Sequence, residues 1–513
     1  MMSEQEPIDI PVSVELEQPA EFQHGGRHRA ERPKSHGFRI ALAAAVTVVG
    51  AVEVTHPDDG SQNTSHPYVA YMHSSENTLP LQVKTDIKTA VDKDQCDTTV
   101  TAEQVSNIYK RLFIDQPMPE TLQQLQAKSD KLVSNLEQAA ASLHFVDLTD
   151  DEAHFLQTVH FYGMKGTYAQ YADVFRGYAS KVGIDLVDNW LKSGDEATQI
   201  AKSFGTTIDP LSSAEKDNRN KAAKNRLIDA QMVLAEKPEE LLAIGNLHKI
   251  VLGKFVYDGI ASGGTQTIAL NGASQTANRD LLNHEFAHMV DYGLCPDLID
   301  RNIGDPAYQS FNRGFEYGPD PQPAMNANGR AEGKFTSLET AQLYMTEDYK
   351  QRRLPPDTLS VVMDPYGTNS VAEDVGTLLG GTTFNNNQTE LYWPNGVDNT
   401  IIYEKTALSL ARLYNKNPAV GEYYIAQTEL AHLLVQIYNR MDMLDAALEG
   451  LLEPHIKEGS HKLALNVEDT QKYHYIRKQQ GELAKIAGKV YDCSNTQGRY
   501  DKDSESLFAQ GGA

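Results

Sequence analysis

The chain has 513 residues, a formal net charge of −24 and three cysteines. Its length exceeds one ordinary domain and predicts roughly two to four. The acidic balance argues against nucleic acid as a main partner, because phosphate binding needs clustered Lys and Arg. Cys96, Cys295 and Cys493 form no CxxC pair, which argues against thiolate zinc sites and thioredoxin-type chemistry. Isolated thiols are the simpler reading, and one disulfide stays open.

Residues 1–35 are polar and turn basic at their end, with Arg27, Arg29, Arg32 and Lys34. The apolar run IALAAAVTVVGAV, Ile40–Val52, follows, and then Glu53, Asp58 and Asp59. As a helix this run spans about 20 Å, short of the roughly 30 Å hydrocarbon core. Residues 36–52 therefore read as a signal peptide, with small residues for cleavage after Ala51, or as a short uncleaved membrane anchor. Positive charges before the run and acidic ones after it place the rest of the chain outside the cytoplasm, secreted or anchored.

Residues 53–100 read as a linker, since HPDDGSQNTSHP is turn-rich and little after it is periodic. Residues 101–235 read as a helical domain, with apolar residues three or four apart in AEQVSNIYKRLF and ETLQQLQAKSDKLVSNLEQAAASL. His154 and His160 lie there without ligand spacing. HKIVLGKFVYDG from His248 and GTQTIALNG from Gly264 are β-branched runs bounded by Gly and Asn, and predict strands. A domain over 236–395 contains them. Residues 396–490 are helical again, and 491–513 read as a disordered tail. His432, His455, His461 and His474 have no ligand spacing. The fold class expected is α+β.

The stretch LLNHEFAHMVDYG, Leu281–Gly293, carries the chemistry. Asn278 or Thr276 can cap a helix there, Gly293 can end it, and Leu281, Leu282, Phe286, Met289 and Val290 make a buried stripe. His284 and His288 lie one turn apart on one side of that helix, as two imidazole ligands of one zinc ion would. Glu285 reaches beside the metal rather than onto it, where a general base would take a proton from water. Asp291 suits a supporting role, fixing the tautomer of a ligand imidazole.

Zinc needs a third protein ligand, and HExxHxxGxxH is absent. Glu373, in MDPYGTNSVAEDVGTLLGG, opens a helical pattern and is the first candidate. Ser370-Val-Ala-Glu373 also reads as a capping box, in which Glu373 would turn back to the helix start. Asp374 is the fallback ligand. Glu316, Glu332, Glu339 and Glu347 lack a ligand-helix context.

HEFAHMVD followed by Tyr-x6-Glu resembles the gluzincin metallopeptidases, and within them the catalytic domain of the anthrax lethal factor-like family. DPAYQSFNRGFEYG, from Asp305, resembles a segment of secreted bacterial members. The resemblance covers about residues 235–395. It implies a zincin-like catalytic domain, a small mixed sheet with an active-site helix, flanked by mainly helical regions. It assigns one Zn2+ to His284, His288 and Glu373, the general base to Glu285, and the oxyanion-side donor to Tyr366. Val375 and Gly376 stand where relatives often carry an aromatic residue and Ala.

The function expected is an exported zinc-dependent endopeptidase acting on extended polypeptide. Its helical regions would select substrates if its targets are few. The alternative is an extracytoplasmic binding or scaffold protein with an inactive peptidase-like domain. Substrate identity and oligomeric state have no signature in the sequence.

Overall fold

The structure, a computed structural model, describes residues 79–149, 152, 167–188, 213–253, 258–272, 279–300, 304–313, 370–384, 399–455 and 465–494. The basic segment 1–35, the apolar segment 36–52 and Tyr366 lie outside the described residues, as do His154, His160 and the other candidate glutamates, Glu316 to Glu347. Among the described residues, no helix is long and apolar enough to cross a membrane. The described residues form many helices and one small sheet, so the coarse α+β class holds.

The described residues form two compact units. The smaller takes in 118–128 and 434–489. It is helical, drawing on the start of α3, the end of α12 and most of α13, defined below. There the Arg440 guanidinium donates to the carbonyls of Pro119 and Glu120, both at 3.1 Å. Gln480 donates to Asp445, and Leu483, Ile486 and Ala487 are buried.

The larger unit holds the remaining described residues. The elements of both units, in chain order, begin with α1 (Leu81–Asp92) and α2 (Ala102–Tyr109), which continues as a π-helical turn, Lys110–Ile114. Then come α3 (Leu122–Ala140), α4 (Tyr168–Lys181), β1 (Asp185–Asp188), α5 (Ser213–Ala235) and α6 (Glu239–Gly245). Strands β2 (Lys249–Gly253), β3 (Gly259–Ser262) and β4 (Thr267–Asn271) precede α7 (Arg279–Leu294). Short helices α8 (Pro296–Asp300), α9 (Pro306–Ser310) and α10 (Val371–Val375) follow; α10 runs on as a π-helical stretch, Gly376–Thr383. Helices α11 (Thr400–Lys416), α12 (Pro418–Leu452) and α13 (Val467–Ser494) complete the chain.

The sheet has the order β1-β2-β4-β3. β1, β2 and β4 are parallel, and β3 runs antiparallel to β4 at the edge. A parallel pair needs a long crossover, and α5 and α6 supply it between β1 and β2. All of β4, and β2 beyond Lys249, are buried, as strands covered on both faces must be. These two are the strands that β-branched runs predict. β1 lies inside the stretch read as a helical domain. Because it pairs with β2, the boundary expected at residue 235 runs through a single unit.

Residues 79–100 also differ from the linker that composition suggests. α1 buries Val83, Ile87 and Ala90, a one-sided stripe at helical spacing. Its Asp86 carboxylate pairs with Arg313 at 2.9 Å. Beyond α1, Cys96 is disulfide-bonded to Cys295, the residue immediately after α7. Beside that bond, the Arg412 guanidinium of α11 is buried between Asp94 at 2.7 Å and Asp305 at 2.6 Å. Helix α13 extends to Ser494, past the point where a tail is expected; the residues after it lie outside the described set.

Peptide mapping without reductant is expected to recover Cys96 and Cys295 in one linked species. The Cys96→Ser/Cys295→Ser variant is expected to lose about 2–5 kcal/mol of stability in urea unfolding. Unlinked peptides, or an unchanged midpoint, would contradict the tether.

Candidate metal centre

Helix α7 is buried almost all round. Leu282, Phe286, Ala287, Met289 and Val290 are each 2% exposed or less, and Leu281 is only partly covered. Such a helix belongs to the core rather than to an amphipathic surface. It runs through Gly293 to Leu294, so Gly293 is not its stop. Gly293 instead allows α6 to approach, since a Cβ there would overlap the Ile244 carbonyl. The expected caps, Thr276 and Asn278, lie outside the described residues.

The two histidines converge as their spacing predicts. His284 Nε2 and His288 Nε2 lie 3.0 Å apart. The distant acid joins them: Glu373 Oε2 lies 2.9 Å from His284 Nε2 and 3.5 Å from His288 Nε2. Two donor atoms at about 2.0–2.1 Å from one tetrahedral ion lie about 3.3 Å apart, and the three separations bracket that value. Two imidazole nitrogens and one carboxylate oxygen are also a donor set suited to a borderline-soft divalent cation. These three residues could hold one metal ion.

Ser370 caps α10, its hydroxyl accepting the Glu373 N–H at 3.2 Å. That is one half of a capping box. In place of the other half, the Glu373 carboxylate turns to the imidazoles. Burial opposes its charge, but hydrogen bonds and charge from His284 and His288 outweigh burial and hold it well below the usual carboxylate range. Asp374, the fallback ligand, points elsewhere: its carboxylate pairs with Lys405 of α11 at 2.5 Å, both side chains being about 1% exposed.

Glycines set how closely this second helix lies on α7. A Cβ at Gly376 would fall 2.6 Å from His288 Cε1 and 2.8 Å from His284 Cε1. One at Gly380 would fall 2.5 Å from His284 Cα. Residues four apart on a helix share a face, so the two glycines form one smooth strip against the histidine-bearing segment. At the far end, the buried Lys237 amine donates to the Phe384 carbonyl, and burial pushes its pKa down to about 7.

Glu285 sits on the sheet side of α7, 5% exposed. Gly259 of β3 makes room for it, since a Cβ there would lie 2.7 Å from its Oε1. The Asn271 amide donates to the Asp258 carbonyl at 2.8 Å. By antiparallel alternation, Gly259 and Ala261 then direct their N–H and C=O groups away from β4. The Ala261 N–H donates to the Glu285 carboxylate. Burial pushes the Glu285 carboxyl up to about 7; the Glu373 charge adds to the rise, while His284, the Ala261 amide and Arg226 oppose it. Asp291, partly buried, is coupled by charge to His288 and Arg412. Burial and the nearby Asp305 push its carboxyl up to about 6.

Gly259, the Ala261 amide, Gly376, Gly380 and Lys405 were not singled out as working parts by residue type. The four-residue spacing of Gly376 and Gly380 is the one available signal among them. Comparison of the chain with protein-family models, curated proteins and solved structures returned no match.

Gly376→Ala is expected to weaken divalent metal uptake about tenfold or more, read by metal analysis after dialysis; full uptake would contradict the ring contacts. Glu285 gives a second expectation for the metal-free chain. Its folded value lies above the ordinary 4.5. Its ionisation therefore adds no cost below about pH 4.5, and that cost grows to about 3 kcal/mol as pH rises through about 7. Glu285→Gln should stabilise the metal-free protein at pH 8 and not at pH 4, measured by urea unfolding.

Proposed function

We propose that the chain is an exported zinc-dependent endopeptidase with a zincin-like, gluzincin-type catalytic domain. The observation that carries this reading is the meeting of His284, His288 and Glu373 around a point large enough for one ion, with Glu285 beside it. His284, His288 and Glu373 would hold Zn2+. When bound, the ion supplies Lewis acidity, bringing water ionisation towards neutral pH and polarising the scissile carbonyl.

The chain's own groups do the rest. Glu285 takes the proton of the attacking water on its carboxylate and passes it to the leaving amine. A dication nearby favours its ionised form, so a carboxyl near 7 in the bare chain becomes a base in the loaded one. Gly259 keeps that carboxylate close to β3. The outward N–H and C=O groups of Gly259 and the outward Ala261 carbonyl suit an extended peptide laid along β3 as an added strand, with the Ala261 N–H left to Glu285. Tyr366 is assigned to the developing oxyanion on the sequence resemblance alone.

Export is supported by the basic-then-apolar-then-acidic order of residues 27–59. The Cys96–Cys295 disulfide supports it too, since such bonds persist in oxidising compartments. An inactive scaffold would not need Glu285 beside three converging ligands, and the alternative function gains no support from the centre.

With casein as substrate, Glu285→Gln is expected to lower turnover at least about 10³-fold while zinc stays bound. His284→Ala is expected to lose the zinc. Tyr366→Phe is expected to cost about 10²–10³ in kcat. Zinc-loaded wild type that cleaves neither casein nor cell-envelope proteins, or Glu285→Gln with full activity, would overturn the peptidase reading.

A further inference from the structure

Glu373 reaches the imidazoles from a five-residue helical turn, α10, far from α7 in sequence. That turn opens a helical stretch that continues to Thr383, and the first turn of a helix is the part its own hydrogen bonds hold least. A helix residue changes direction by about 100° per position. A rotation of α10 by one position would therefore carry Glu373 off the histidines. Something outside α10 has to set that angle.

The neighbouring side chain does so. Asp374 is the next residue, and it points into the protein where Lys405 meets it. Both are almost wholly buried, and Lys405 Nζ also lies 5.4 Å from the centre of the Tyr308 ring. Lys405 sits within α11, a helix of 17 residues that is buried over most of its length and held at Arg412 by Asp94 and Asp305. It is thus a rigid anchor. The Asp374 N–H donates to the Ser370 carbonyl at 3.0 Å, so the pair grips the first turn, the turn that carries Glu373. Gly376 and Gly380 fix how near the helix lies to α7 and limit its rotation beyond the first turn, but they do not hold the turn that carries Glu373. A buried ion pair does, because any turn that separates the charges leaves them unpaired in a dry interior.

We propose that Lys405 is a positioning residue for the metal centre: through Asp374 it sets the rotation of α10 and so aims Glu373 at His284 and His288. This rests on the zinc reading above. It concerns a residue that touches neither the metal site nor the peptide.

The test measures Zn2+ affinity of the full chain by competition with a chromogenic chelator, for wild type, Lys405→Met, Glu373→Gln and the double variant. Lys405→Met is expected to weaken Zn2+ binding about 10–100-fold, the range for partners that orient ligands. In the Glu373→Gln background the same change is expected to cost less than about threefold, since the residue it aims is already blunted. A general loss of packing would weaken binding equally in both backgrounds, and that result overturns the proposal. If Lys405→Met does not fold, Asp374→Leu/Lys405→Met decides. It removes both charges, keeps the interior apolar, and is expected to melt near wild type yet bind Zn2+ at least tenfold more weakly. Wild-type affinity in that folded variant overturns the proposal. Absence of Zn2+ binding by wild type itself would instead defeat the zinc reading.

Discussion

The centre depends on how closely two helix backbones can approach. α7 offers two imidazoles from one face, and the helix starting at Val371 brings a carboxylate oxygen to 2.9 Å from one nitrogen and 3.5 Å from the other. Side chains on that second helix would hold the backbones too far apart. Gly376 and Gly380 remove the obstacle, and an added methyl at either would meet the His284 or His288 segment. The same device recurs on the other sides of α7. Gly293 admits α6, and Gly259 admits the Glu285 carboxylate to β3. A buried helix surrounded by close neighbours leaves its polar groups few orientations, and the centre gains its geometry from that restriction.

Close packing here is combined with buried charge. Lys405–Asp374 and Arg412 with Asp94 and Asp305 are nearly inaccessible to water. Each such group loses hydration on burial, and its partner offsets much of that loss only in good geometry. Apolar residues of similar volume would often be as stable. What an ion pair adds is intolerance of the wrong arrangement, which matters most where a fraction of an ångström decides whether three atoms can share one ion.

The legible parts of the sequence were those with local causes. Two histidines one turn apart announce themselves, because helix periodicity alone brings them together. β2 and β4 were legible as short apolar runs with paired β-branched residues, bounded by Gly and Asn. β1, with the sequence DLVD, and β3, with GIAS, were not: each is four residues long, and β3 has small side chains and little strand propensity of its own. They form because neighbours offer them register. Glu373 was half legible. Ser370 does cap the helix, as the local pattern says, yet the carboxylate leaves the box for partners 85 and 89 residues away in sequence, which no local rule ranks. Gly376 carries no local signal of its own; the His284 and His288 rings it faces give it a role. Lys405 reads in sequence as an ordinary helix lysine; only tertiary packing turns it inward.

The Asp94–Arg412 contact joins residues 318 apart in sequence, and Arg111 reaches Glu429 across the same separation. The segment that the disulfide ties to the end of α7 is thus completed by groups from the last quarter of the chain. A ribosome or a secretion channel delivers the amino end first. Until residue 412 has emerged, Asp94 and Asp305 lack their shared cation, and until residue 405 has emerged, Asp374 lacks its own. The centre is therefore assembled late, on a nearly finished polypeptide, and a nascent fragment carrying HEFAH alone holds the two imidazoles without the carboxylate that joins them.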